Sequence, residues 1–231
     1  MTMSPSIKEF YDVIDLTWPS VSNQLQNGWL IKNGGGGGKR VSATIRVSPN
    51  AKIEIAESLM ENINQNKLFM IRKGDENLDY ELHKLGYKLI DPSILLGSPI
   101  ERLDKTFDGE FHLAPNEKMK ALWFNAGINE KRLNVMNRAK VLKSYVSIDN
   151  TAVAFVAIYN SIAMVHALEV AKVKQRQGFG KKIMQQIAGW AATNGANYLT
   201  VITVHNNLPA KSLYQHLRMT KLDNYHYRIK L

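Results

Sequence analysis

Residues 162–193 read IAMVHALEVAKVKQRQGFGKKIMQQIAGWAAT, and this stretch decides the fold. Its first nine residues form an apolar run, consistent with a buried strand. The run passes through Lys172 and Lys174 into Gln175, Arg176, Gln177, Gly178, Phe179, Gly180 and Lys181. Beyond the glycines, Phe179, Ile183, Ile187 and Trp190 recur at helical spacing along one stripe. Glycine at 178 and 180 removes side chains where the backbone must turn and be approached closely. A helix N-terminus leaves unpaired N–H groups and about half a positive charge. Lys172, Lys174, Arg176, Lys181 and Lys182 add formal charge around the same point. Strand, glycine turn and helix together suit an anion such as a diphosphate. The dinucleotide pattern G-x-G-x-x-G is excluded, because Ile183 stands where its third glycine belongs.

Outward from this stretch, alternation and turn signals predict strands over 144–148, 153–159 and 198–204 and a last strand over 225–231. Helices are predicted over 116–125, 129–142 and 209–217, beside the helix over 178–193. The first half predicts a helix over 8–16 and extended runs over 28–32 and 39–47, where Val41, Ala43, Ile45 and Val47 alternate with polar residues. A helix then follows Pro49-Asn50 with Ile53, Ala56, Met60 and Ile63 on one face, and a short strand over 68–71. A helix over 76–85 is closed by Gly86, and 87–96 reads as extended. Hairpins followed by strand–helix alternation imply a mixed sheet, so the class is α+β, or α/β with a mixed sheet. Both halves share a strand–helix–strand–helix–strand order. This suggests a degenerate internal duplication divided near 100–115, into residues 1–110 and 111–231.

The composition removes several chemistries. None of the 231 residues is cysteine, which excludes a thiol nucleophile, disulfides and cysteine-ligated metal. Residues 1–110 hold 13 basic and 15 acidic side chains, and residues 111–231 hold 17 and 5, so the net of +10 is the sum of −2 in the first half and +12 in the second. Such asymmetry points to an anionic partner there, nucleic acid or a phosphorylated cofactor. The basic cluster lacks the interleaved aromatics of a nucleic-acid module, so nucleic acid is not the expected partner. The apolar segment 151–171 is broken by Asn160-Ser161 and carries His166 and Glu169, which favours two strands over a membrane span. With no signal-like start before Phe10, a soluble cytoplasmic protein is expected. The glycines at 34–38 with Lys39 invite a P-loop reading. It fails because Asn33 and Arg40 stand where Gly and Ser/Thr are needed, and because alternating strand sequence follows where a helix is required. A flexible hairpin loop is the expected alternative, with a mobile flap near a site the lesser one.

Gln175, Gly178 and Gly180 match the Q/R-x-x-G-x-G/A signature of the GCN5-related N-acetyltransferase (GNAT) superfamily, which the chain resembles over roughly residues 116–231. The strand over 198–204, Asn207, the Ala-x-x-Leu-Tyr of Ala210, Leu213 and Tyr214, and a closing strand with Tyr225 and Tyr227 follow in the family's order. The resemblance implies an acyl-CoA N-acyltransferase fold, here as two tandem copies. Residues 111–231 would be the catalytic N-acetyltransferase domain and residues 1–110 a degenerate copy, structural or walling the acceptor site. It implies acetyl-CoA as acyl donor, no metal, and direct attack by a small-molecule or peptide amine. Backbone groups of Leu168, Glu169 and Val170 would pair with the pantetheine arm. Gln175, Arg176, Gln177, Gly178, Phe179, Gly180 and Lys181 would hold the pyrophosphate. Asn207 would bond the arm, and Tyr214 would act as general acid at the thioester sulfur. The base is open. The positions that hold a Glu in many members are Met164 and Ile202 here, which leaves His166, Glu169, a water relay or no dedicated base. In a regular strand His166 would share a face with Leu168 and Val170, opposite Glu169. A non-catalytic acyl-CoA-binding or regulatory module is the alternative function. A monomer or a homodimer would serve either.

Overall fold

The computed structural model describes residues 4–230. The first half contains α1 (Ile7–Thr17), β1 (Ser22–Gln26), β2 (Trp29–Asn33), α2 (Lys39–Ser42), β3 (Ile45–Arg46), α3 (Ile53–Asn62), β4 (Lys67–Ile71), α4 (Glu76–Lys84) and β5 (Lys88–Pro99). The second contains β6 (Glu110–His112), α5 (Glu117–Asn125), α6 (Glu130–Arg138), β7 (Leu142–Ile148), β8 (Ala152–Tyr159), β9 (Ile162–Val170), α7 (Phe179–Thr193), β10 (Tyr198–Val204), α8 (Leu208–His216) and β11 (Thr220–Lys230). Leu231, the predicted end of the last strand, lies outside the described residues.

Eight strands form one mixed sheet in the order β4-β11-β5-β10-β9-β8-β7-β6. A small antiparallel sheet, β1-β2-β3, meets it through a parallel bridge between Thr44 and Phe69. β5, which ends the first half, lies between β10 and β11, and β11 in turn pairs with β4. Each half therefore places its last strand against the other half's penultimate strand. The orders β3-α3-β4-α4-β5 and β9-α7-β10-α8-β11 are the same.

One face of the second-half sheet buries Val146, Ala154, Val156, Val165 and Val201 beneath Ile183, Ile187 and Tyr214. The opposite face buries Tyr145, Phe155 and Ala157 beneath Trp18, Trp123 and Met136. Each aliphatic side chain buried there contributes about 1.5–3 kcal/mol relative to exposure. Helix α1 begins in a capping box, with Ser6 and Glu9 satisfying each other's backbone N–H, and buries Phe10, Val13 and Ile14.

Several sequence expectations change: the helix expected over 129–142 ends at Arg138, where the chain turns into β7, and the strand expected over 225–231 already begins at Thr220. Residues 39–47 are not one strand: 39–42 form the helical turn α2, and only Ile45 and Arg46 join the sheet. The glycines at 34–38 are not a flexible hairpin loop either. A Cβ on Gly37 would sit 2.4 Å from Val135 Cγ2, so this segment is pressed against α6. The run does lead from a strand into a helical turn, which removes one ground for rejecting a P-loop. The mismatches at Asn33 and Arg40 still reject it.

Candidate acyl-transfer site

β9 and β10 run parallel and pair only from Ile162/Tyr198 to Val165/Val201. Beyond that point they part: β9 stays with β8 as far as Val170, and β10 stays with β5 as far as Val204. The pairing of β8 with β9 slips between Val153 and Phe155, and Ala167 there has φ +50°. This bulge is pinned by Trp123, buried on α5, whose Nε1–H donates to the Ala167 carbonyl at 2.7 Å.

The bulge corrects the expected facing of the strand. Leu168 and Val170 pack with the α7 core, whereas His166 stacks on Trp18 at 4.9 Å on the α1 side. His166 thus does not share a face with Leu168 and Val170, because one extra residue inverts the alternation.

His166 is buried with both ring nitrogens engaged. Arg40 Nη1 lies 3.2 Å from Nδ1, which must accept because a guanidinium only donates. Nε2–H then donates to Thr17 Oγ1 at 2.9 Å, and that hydroxyl donates to the Val13 carbonyl at 2.6 Å. Burial, and then the charge of Arg40, hold the imidazole well below its ordinary range, so it stays neutral.

Glu169 is half-buried and lines a cleft of about 440 Å³ with Leu122 and Asn125 of α5, with Ala126 that caps it, and with Lys172 and Gln175. Burial raises its carboxyl above the usual range, against the pull of Arg132. Tyr214 is buried on α8, and its phenol is raised first by burial and then by the charge of Glu169. Glu169 and Tyr214 are therefore close enough for the charge of the carboxylate to act on the phenol. Met164 and Ile202 offer no proton acceptor.

After β9 the chain makes a 3-10 turn over Lys172–Lys174. Gln175 Nε2 donates to the Val170 carbonyl at 3.2 Å, tying the turn to the strand end. Gly178, at φ +85°, is the N-cap of α7, and no side chain caps that helix. The first N–H groups of Phe179, Gly180 and Lys181 have no partner within the helix. Lys172, Lys174, Arg176 and Lys182 stand exposed around them, with Gln177 on the same rim, while Lys181 lies 3.9 Å from Asp104. The residues present fit a diphosphate. Asn207 is otherwise employed in part: its Oδ1 accepts from Ala210 N at 3.2 Å as the N-cap of α8, which leaves its amide N–H groups for another partner.

The matching place in the first half differs. There the carbonyl of Gly28 accepts from the N–H groups of Val47 and Ser48 at 2.8 and 3.1 Å, so the turn after β3 is closed on the protein itself, while α3 beyond it also begins without a side-chain cap. Sequence reading singled out neither Arg40 nor Arg132 at the opening. Nothing in the spacing links residue 40 to residue 166, and Arg132 is one of many cations in its half.

Residues 104–218 match the profile of the acetyltransferase (GNAT) family, just under half of the chain. An uncharacterized N-acetyltransferase, YobR, of Bacillus subtilis (strain 168) is 28% identical over 88 residues, which cover 38% of this chain and 36% of that protein. The match therefore spans about a third of that curated relative's length. A GCN5-related N-acetyltransferase from Kribbella flavida has a TM-score of 0.69 at 12% identity, covering 99% of this chain and 96% of the other. A functionally unknown conserved protein from Staphylococcus epidermidis ATCC 12228 also scores 0.69, at 11% identity, covering 98% of both chains. These two show the likeness of fold. Among the described residues no helix is long and apolar enough to cross a membrane, and no cluster of metal-ligating side chains occurs. The segment from residue 104 to residue 218, which contains the open strand pair, the uncapped helix and Tyr214, is the part of the chain that matches the GNAT acetyltransferase family.

Proposed function

We propose that this chain is an N-acetyltransferase that moves the acetyl group of acetyl-CoA to a primary amine by direct attack. The observation that carries the reading is the uncapped N-terminus of α7 at the open end of β9 and β10, ringed by four exposed cations. Backbone groups of Leu168, Glu169 and Val170 would hold the pantetheine arm, with the Asn207 amide N–H as a further donor. Residues 175–181 would hold the pyrophosphate. Glu169 takes the proton from the incoming ammonium, since its raised carboxyl is a better acceptor near neutral pH than an ordinary one. Tyr214 gives a proton to the departing thiolate, and its high phenol pKa keeps it protonated until then. His166, with both nitrogens engaged, positions rather than accepts.

Residues 1–110 and 111–231 are proposed as tandem copies, the first having lost its donor site. The matching element orders, the reciprocal strand exchange and the self-closed turn at Gly28 support this.

Isothermal titration with acetyl-CoA and thiol release with an amine panel test the reading together. Tyr214→Phe should lower kcat by about 100-fold or more while acetyl-CoA binding persists. Glu169→Gln should abolish the acidic limb of the pH–rate profile, a limb that lies above the ordinary carboxylate range. Thiol release that Tyr214→Phe leaves intact removes Tyr214 as the acid. Binding without thiol release for any amine favours a non-catalytic acyl-CoA module.

A further inference from the structure

Arg40 is the one part of the glycine segment that reaches the reaction site. It extends from α2 in the first half to His166, the first β9 residue past the last β9–β10 pair. Its Nε is sealed from solvent without a partner, although the residue as a whole keeps some exposure. The groups that face its guanidinium are the His166 ring and the hydroxyls of Tyr225 and Tyr227, all uncharged. Among the described residues Arg138, whose Nε is also sealed without a partner, likewise lacks a carboxylate, but the other arginines of comparable burial have one. Arg46, Arg72 and Arg228 each have a carboxylate, at 3.6, 3.7 and 2.7 Å from Asp75, Asp15 and Asp79. A buried cation without a counter-charge is costly, and the cost is relieved when an anion arrives.

Two neighbours mark the direction from which an anion would come. The carboxylate nearest in sequence terms on β5, Asp91, is already bound to Lys39 at 2.8 Å, so it does not serve Arg40. Arg132 of α6 comes within 3.7–3.8 Å of the space beside Gly38, and its charge acts on Glu169. Arg132 thus stands close both to the segment that carries Arg40 and to the Glu169 carboxylate. The relay from Val13 and Thr17 through His166 holds the guanidinium in place.

Resting on the N-acetyltransferase reading, we propose that the acceptor is an amine that also carries a carboxylate. Arg40 is the specificity-determining residue that binds this carboxylate, and His166 is its positioning residue. A planar guanidinium with two adjacent donors suits a carboxylate better than any other anion of that size. The amine of the same molecule would then lie toward Glu169. A polyamine, cationic throughout, would be repelled by the two arginines.

The test uses the full chain and free amino acids, each compared with its own amide, in the thiol-release assay. The acids should exceed the amides in kcat/KM. Arg40→Gln should lower kcat/KM for the acids by about 10–100-fold and leave the amides unchanged, removing the preference. Arg40→Lys should keep part of it. Acetyl-CoA affinity, followed by titration calorimetry, should be the same in all three proteins. Equal use of acids and amides by the wild type, or an equal loss for both in Arg40→Gln, overturns the proposal while leaving the transferase reading intact. Absence of acetyl-CoA binding in the wild type overturns both. If Arg40→Gln fails to fold, the wild type decides the matter alone. The corresponding carboxylic acids without the amine should inhibit competitively against the acceptor, and a lack of inhibition overturns the proposal.

Discussion

His166 links a buried hydrogen-bond relay to pH. Its pKa in the folded chain lies well below the ordinary value near 6.5, so the unfolded chain binds the proton more readily. Stability is then complete above the unfolded value and declines as pH falls through it toward the folded value. The slope approaches about 1.4 kcal/mol per pH unit for one such group. Urea unfolding between pH 7 and pH 5 should show a steeper loss in the wild type than in His166→Gln. Parallel slopes would assign the acid sensitivity to other residues. The sequence marks this histidine as a candidate but misplaces its facing, because nothing about Ala167 announces a positive φ. The bulge is imposed from outside, by Trp123 bonding a carbonyl 44 positions away. Tyr214, Gly178 and Gln175 were legible, since each lies within a motif whose spacing is local.

At the scale of elements, much of the second half could be read closely because its central strands are buried on both faces and its helices carry clear stripes, although β6 was not foreseen and the end of α6 and the start of β11 were misplaced. The first half was harder. β1 (Ser22–Gln26) is polar and lies almost wholly in solvent, so it has no alternation to detect. The alternation of Val41, Ala43 and Ile45 was real but served a helical turn followed by two strand residues. The tight packing at Gly37 and the φ of +105° at Gly38 bend the chain there. The α7 N-terminus allows a sharper test. Gly178 has open space where a Cβ would stand, so Gly178→Ala is penalised through its φ of +85° alone, by about 1–2 kcal/mol. Melting should show that loss, and calorimetry should show weaker acetyl-CoA binding because the proposed diphosphate cradle shifts. Lower stability with unchanged affinity would mean that these amides do not hold the ligand.

For the whole molecule, the exchange of strands makes the two halves depend on each other. Leu95 is buried on β5, a strand flanked by β10 and β11. Residues 111–231 produced alone would leave facing edges on β10 and β11 with nothing between them, an arrangement prone to aggregate. They should elute in size-exclusion chromatography as aggregate or unfolded chain, and adding residues 1–110 as a second polypeptide should recover the native species. A monodisperse, cooperatively melting C-terminal half would contradict this. The sequence revealed the repeated element order but not the exchange, since the pairing of β5 with β10 and β11 is set by long-range fit.

Strand β4 is covered on one side by β11, which is made long after it. On a translating ribosome, the first hundred residues thus cannot reach their final state when they emerge. They wait with one edge bare until β11 has cleared the exit tunnel, so folding of the first half is tied to synthesis of the second.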